Sequence, residues 1–365
     1  MKCSSKNTVL FLVENISWIG GIEAITLSVG KRLSSFYNVY VISLVKPNSR
    51  IFERGESSIR FLALPFKSRI GKLMALWWLG IKTKARHIII QGRYLYSFCF
   101  LSHLLPYTKV YFYDHDSFRA YSDNQANEYL PRKRAVRHAD KVVVLTADNC
   151  EEYKRRLEVP DSKLFVIPNF VEYSPSSFKY DSLSKTIISL GRLDRQKRYD
   201  LLISAFANVA GQIPDWKLVI YGDGPERNAL SSLIYELRMG ARIELMGWCE
   251  KPSRVYANAS FFVMSSEHEG FGMALLEALC HNLPVIAFDC PSGPSDIVQD
   301  GRNGILVKNG DIEGLGKAIK RLAKERELRI NFSNNAKISA QKYSPAAIID
   351  RWLLMFGDGF HHQGR

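Results

Sequence analysis

The sequence predicts an α/β protein built from two Rossmann-like units. Three observations carry this. Short β-branched or aromatic runs alternate with helix-period segments along the whole chain; each half opens with a strand that runs into a glycine-containing loop and a helix; and a polar, serine-rich stretch separates the two series. With 365 residues, 46% of them hydrophobic, the chain is long enough for two cores and too apolar for disorder.

The first series of strands is expected at 8–13, 38–45, 59–64, 87–90, 109–113, 141–145 and 164–167. Residues 170–184 hold a proline and several serines without periodicity, which suits a linker. A second series follows at 186–190, 216–221, 242–246, 260–264 and 284–287, with helices such as 198–211 and 225–239 between the strands. Residues 311–357 read as helices, the last one capped by Ser344 with Pro345 at its first position. Domain limits follow at 1–172 and 173–345, with 346–365 expected as a C-terminal helix that packs back toward the N-terminal domain.

The formal charge is +14, and it is lopsided. Residues 1–175 carry 26 Lys and Arg against 15 Asp and Glu, a net +11, which leaves +3 (24 minus 21) for residues 176–365. A basic surface attracts phosphate-bearing partners: nucleotide sugars, anionic lipid or nucleic acid. Nucleic acid is disfavoured because no aromatic-basic recognition module is present and Pro131-Arg132-Lys133-Arg134 is only a short surface run. The six cysteines are scattered, with no Cys-x-x-Cys pair and no histidine at ligand spacing, so neither a disulfide framework nor a zinc site is encoded. The apolar run Val9–Val13 is too short for a signal peptide and is cut by Glu14, and no segment reaches the ~20 apolar residues of a membrane span. A cytoplasmic protein is expected.

Three motifs carry chemistry. Trp18-Ile19-Gly20-Gly21-Ile22-Glu23 follows the opening strand and precedes a helix with Ile22, Ile25, Val29 and Leu33 on one face. Adjacent glycines let backbone approach a ligand, and free N–H groups at a helix start favour phosphate or sugar; the same pair also serves a plain tight turn. Gly191-Arg192 with Lys197 leaves the carboxyl end of the strand 186–190, where open α/β sheets bind ligands. A planar Arg fork and a Lys point charge are able to neutralise a diphosphate without a metal, although an isolated pair is equally a solvated surface feature. The strongest motif is Ser265-Ser266-Glu267-His268-Glu269-Gly270-Phe271-Gly272-Met273-Ala274-Leu275-Leu276-Glu277, after a buried strand. A helix starting near Gly272 places Glu277 along its axis and leaves Glu269 on the loop, roughly 8–12 Å apart at ~1.5 Å per helical residue. The alternative is an amphipathic helix with an acidic first turn.

Gly20-Gly21-Ile22-Glu23, Gly191-Arg192 with Lys197, Gly222-Asp223-Gly224-Pro225 and Glu269-x7-Glu277 occur in the order seen in glycosyltransferase family 4, and nearly the whole chain resembles its retaining enzymes. That resemblance implies the GT-B fold, in which two Rossmann-like domains face each other across a cleft. It implies that Arg192 and Lys197 bind the donor diphosphate, that Glu277 accepts hydrogen bonds from the ribose, and that Glu269 holds hydroxyls of the transferred sugar. Backbone from Gly270 through Phe271 and Gly272 to Met273, with Gly20 and Gly21, completes the cradle, and the loop ending at Trp248 lies along the base. His115 reaches the donor sugar. The run Asp289-Cys290-Pro291-Ser292-Gly293-Pro294-Ser295-Asp296-Ile297 resembles a branch that uses UDP-hexoses, often galactose or N-acetylgalactosamine. The nucleotide sugar is a co-substrate, with no cofactor and no metal.

Asp114-His115-Asp116 spells an Asp-x-Asp, which in the other large transferase fold holds a divalent metal. It is discounted because such a chain has no need of the second strand-glycine-helix unit. Transfer with retention then proceeds through an oxocarbenium-like state as diphosphate departs, either by same-face entry of the acceptor or with Glu269 as a covalent nucleophile. Glu269, His115, Arg192 and Lys197 are the catalytic candidates; Arg192→Ala and Glu269→Ala are expected to abolish transfer with the fold intact. The acceptor is expected to be a saccharide, lipid-linked, in surface-polysaccharide assembly. In 66–87, Lys67, Arg69, Lys72, Lys82, Lys84 and Arg86 meet no acidic residue, while Ile70, Leu73, Met74, Trp77 and Ile81 share a helical stripe. That pattern suits a helix lying on an anionic membrane, or one packed on its own sheet. Rival readings are an epimerase or phosphorylase with two Rossmann units, and a two-lobed sugar-binding protein.

Overall fold

A computed structural model of the protein describes residues 6–17, 20–46, 58–64, 66–120, 126–172, 180–249 and 252–357. The chain divides into two compact units, the first comprising Met1–Phe170 with Pro345–Arg365 and the second Val171–Ser344. Residues 173–179 of the 170–184 linker lie outside the described residues.

The first unit is a seven-stranded sheet: β1 Thr8–Val13, β2 Asn38–Ser43, β3 Ile59–Ala63, β4 Ala85–Gln91, β5 Lys109–Tyr113, β6 Lys141–Val144 and β7 Leu164–Val166. Its order is β3-β2-β1-β4-β5-β6-β7, parallel throughout. Central strands with both faces covered read as continuous apolar runs, and β1 is buried at all its positions. Crossovers include the helices Gly21–Leu33, which buries Ile25, Val29 and Leu33, and Arg69–Lys82, which turns Leu76 and Leu79 inward. The last helix, Pro345–Phe356, closes the sheet's other face. Trp352 is fully buried against Phe11 and Tyr113, and the Phe356 ring stacks on His87 at 4.1 Å.

The second unit repeats the plan with β8 Thr186–Leu190, β9 Lys217–Tyr221, β10 Ile243–Gly247, β11 Phe261–Met264, β12 Val285–Asp289 and β13 Gly304–Lys308, in the order β10-β9-β8-β11-β12-β13. Its core gathers Phe206 from the helix Tyr199–Ala210, Phe261 from β11 and Ile319 from the helix Ile312–Lys324. β13 is the one described strand that the sequence pattern did not predict. It is an edge strand, paired only with β12, and is half-exposed, so its alternation is faint.

In both units the strand order reverses beside the first strand, between β1 and β4 and between β8 and β11. Crevices for ligands open at such switch points, outside the carboxyl ends of the strands. The topology therefore nominates the loops after β1, β4, β8 and β11.

Candidate functional site

The loops after β8 and β11 are the ones that carry the strongest motifs. After β8 the chain makes a 3-10 turn, Arg195–Lys197, in which the Lys197 N–H donates to Asp194 Oδ1 at 3.3 Å. This turn aims Lys197 back over the strand ends, where its Nζ lies 2.6 Å from Glu269 Oε1. Ser266 Oγ donates to the same oxygen at 2.6 Å. Both donors use Oε1, so among the described residues Glu269 Oε2 makes no hydrogen bond and keeps its acceptor capacity for a ligand hydroxyl. Burial opposes the Lys197 charge, but the adjoining Glu269 carboxylate outweighs it and holds the ammonium above its usual pKa. Lys197 and Glu269, assigned by the resemblance to the phosphate and sugar ends of the donor, thus form one unit.

Arg192 behaves differently. Its side chain is 71% exposed and lies a loose 3.8 Å from Asp194. It is a solvated guanidinium free to turn toward an anion. Gly222 fixes the loop that carries it: with φ +138°, a Cβ there would meet the Gly191 carbonyl oxygen at 1.8 Å. Gly222-Asp223-Gly224-Pro225 is therefore a backbone wedge under the Gly191-Arg192 loop.

Past β11 the loop reaches Gly272, the N-cap of the helix Met273–Cys280, which no side chain caps. The uncapped N–H groups and the positive helix end give the backbone at Gly272–Met273 a partial positive charge suited to an anion. Phe271 contributes backbone only, since its ring is buried edge-on to Tyr343 at 5.7 Å. Glu277 sits in the second turn and receives the Tyr256 hydroxyl at 2.9 Å on Oε2. Burial raises its pKa, with the Tyr256 hydrogen bond acting against that. The run Asp289–Ile297 braces this loop: Glu269 N–H donates to the Pro291 carbonyl at 3.2 Å, and at Gly293 a Cβ would strike the Phe271 carbonyl oxygen. Trp248, just past β10, is exposed.

In the first unit, Gly20 is the N-cap of Gly21–Leu33, again without a side-chain cap, while Trp18 and Ile19 of the same motif lie outside the described residues. His115 follows β5. Its Nε2 is 3.0 Å from Gln91 Oε1 at the end of β4, and Gln91 Nε2 donates to Thr26 Oγ1 at 2.8 Å. A neutral His115 that donates through Nε2 keeps Nδ1 as an acceptor. Burial drives its pKa down to about 4, against the pull of Asp114. Asp114 itself is fully buried, taking Arg132 Nε and the Tyr153 hydroxyl at 2.7 Å each on Oδ2. It anchors the turn that presents His115.

Sequence reasoning missed Ser266, Tyr256, Gln91 and Thr26. Ser266 stands in the same motif, three residues before Glu269, and that short spacing is the signal from which it could have been found. The other three meet their partners only through the fold, across 21 to 65 residues.

Comparison with known proteins matches residues 19–174 to the profile described as Glycosyltransferase Family 4 and residues 174–339 to Glycosyl transferases group 1. An uncharacterized glycosyltransferase of Haemophilus influenzae is 25% identical over 94% of this chain and 98% of its own length. An exopolysaccharide phosphotransferase of Streptomyces coelicolor is 32% identical over 60% of this chain, but the match spans only 23% of that longer protein. Among solved structures, Anabaena HepE in complex with UDP superposes with TM-score 0.82 at 17% identity, covering 96% of this chain and all of that one. Staphylococcus aureus TarM, in a complex that includes UDP, gives 0.79 at 16% identity over 96% and 99% of the two chains.

Proposed function

We propose a function from one premise: this chain belongs to glycosyltransferase family 4 and has the GT-B fold. On our reading it is a retaining hexosyltransferase that works without a metal, moving a sugar from a UDP-linked donor to a saccharide acceptor, lipid-linked, in surface-polysaccharide assembly on the inner face of the cytoplasmic membrane. The observation that carries this is the Lys197–Glu269–Ser266 cluster at the switch point of the second sheet, beside the uncapped helix Met273–Cys280.

In this reading Arg192 and the Gly270–Met273 backbone hold the diphosphate, and Lys197 stands between phosphate and sugar. Charge builds on the diphosphate as the bond from the anomeric carbon breaks, and these cations and N–H groups are in place before it does. Glu269 Oε2 accepts from sugar hydroxyls. Glu277, steadied by Tyr256, accepts from the ribose, and Trp248 lies against the base. Gly20, Gly21 and His115 complete the donor contacts. Two facts support the UDP assignment: the matched structures HepE and TarM carry UDP, and the loop after β12 resembles the UDP-hexose branch.

The test is a screen of UDP- and GDP-sugars for nucleotide release, with and without excess chelator. The expected result is release from a UDP-hexose, unaffected by chelator and lost in Glu269→Gln. Release from GDP-sugars alone, or loss on chelation, would refute the donor and metal assignments respectively.

A further inference from the structure

The helix Arg69–Lys82 presents two apolar faces. At 100° per residue, Leu76, Leu79 and Gly80 point into the sheet, whereas Ile70, Met74, Trp77 and Ile81 fall on a separate stripe. That stripe is exposed: Ile70 by 73%, Met74 by 62% and Ile81 by 52%. The stripe therefore plays no part in packing the helix on its own sheet. It continues across the neighbouring segment, where Trp77 Nε1 donates to the Leu104 carbonyl at 3.3 Å and Leu104 and Tyr107 are themselves exposed. Contiguous exposed apolar surface of this kind marks an interaction site.

Charge identifies the partner. From Ser57 to Tyr113 the chain has nine Lys and Arg and no Asp or Glu. Lys67, Arg69, Lys82, Lys84 and Arg86 are exposed around the stripe, and Lys82 Nζ lies over the Trp78 ring at 4.5 Å, the pairing of an interfacial aromatic with a cation. A protein partner would have to match a one-sign field with acidic groups and an apolar ridge together. An anionic bilayer offers both at once, headgroup charge at the level of the cations and acyl chains just beneath. No described helix is long and apolar enough to cross a membrane, so contact is along the surface.

We propose that the outward face of the helix Arg69–Lys82, with Leu104 and Tyr107, is a docking surface for anionic lipid bilayer. The proposal rests on the reading above that the acceptor is membrane-borne, and it names the face that brings the enzyme to it. Trp77 and Trp78 lie at the headgroup level, and Ile70 and Met74 enter the acyl boundary.

Flotation of the full chain with vesicles decides it, using phosphatidylcholine alone and phosphatidylcholine with about 30% phosphatidylglycerol. The wild type should float with the anionic vesicles only and be released by high salt. Ile70→Ser with Met74→Ser, and separately Lys67→Glu with Lys82→Glu, should each weaken binding at least about tenfold. Melting temperature and UDP release in detergent should stay at wild-type values, which separates this claim from the donor-site reading. Equal flotation with neutral vesicles, or full flotation of the Ile70–Met74 variant, overturns the proposal. So does a wild-type dimer that this variant converts to monomer with no vesicle binding in either, since the face would then pair two copies.

Discussion

The His115 imidazole is buried and neutral, and that sets a pH window. Its pKa is about 4 in the fold, against about 6.5 for an unfolded chain. Between those values only the unfolded chain binds the proton, so stability falls as pH drops through the window, by about 3 kcal/mol in full. Urea titrations at both ends should show His115→Gln losing less on acidification than the wild type; equal losses would contradict the buried, neutral imidazole. Arg192→Ala should leave stability within about 0.5 kcal/mol, since the guanidinium is solvated, yet lower kcat by about 10²–10³-fold. Glu269→Ala carries a stability cost that the motif alone does not show. It strands Lys197 in a largely buried place and costs about 3 kcal/mol, so Glu269→Gln is the cleaner variant. The candidate residues Arg192, Lys197, Glu269 and Glu277 stand out in the sequence because each sits in a short pattern after a strand. Their supports do not, because hydrogen-bond partners such as Gln91 and Tyr256 are set by tertiary contact and leave no local trace.

At the scale of elements, two glycines of the motifs have opposite meanings. At Gly21 a Cβ meets nothing within 4 Å, and the residue opens a helix, so Gly21→Ala should hold or raise stability by up to about 1 kcal/mol. If donor atoms approach that backbone, kcat/KM falls all the same; full activity would mark the glycine pair as a turn. At Gly222 the substitution drives Cβ into the Gly191 carbonyl, and both melting temperature and donor binding should drop together. Strands were readable where both faces are buried, as in β1 and β11. β13 escaped because its burial does not alternate along the strand. The helix Arg69–Lys82 was legible as amphipathic, but which stripe faces the sheet depends on the three residues Leu76, Leu79 and Gly80, whose inward direction only the fold reveals.

Across the whole molecule, two sheets share the order 3-2-1-4-5-6, and each places its motifs at its own switch point. The alternating pattern was enough to read that repeat, because parallel strands need crossover helices. The charge asymmetry belongs to the same scale: the net positive charge lies mostly in the first unit, and the Gly191–Lys197 and Glu269–Glu277 motifs lie in the second. The central claim, a retaining transferase, is tested most directly by the anomeric form of the first product. A UDP-α-hexose that the enzyme hydrolyses slowly without acceptor should be followed by proton NMR faster than the free sugar mutarotates. Retention predicts that the α-hexose appears first and the β-form later by mutarotation; β-hexose as the initial product would contradict the account.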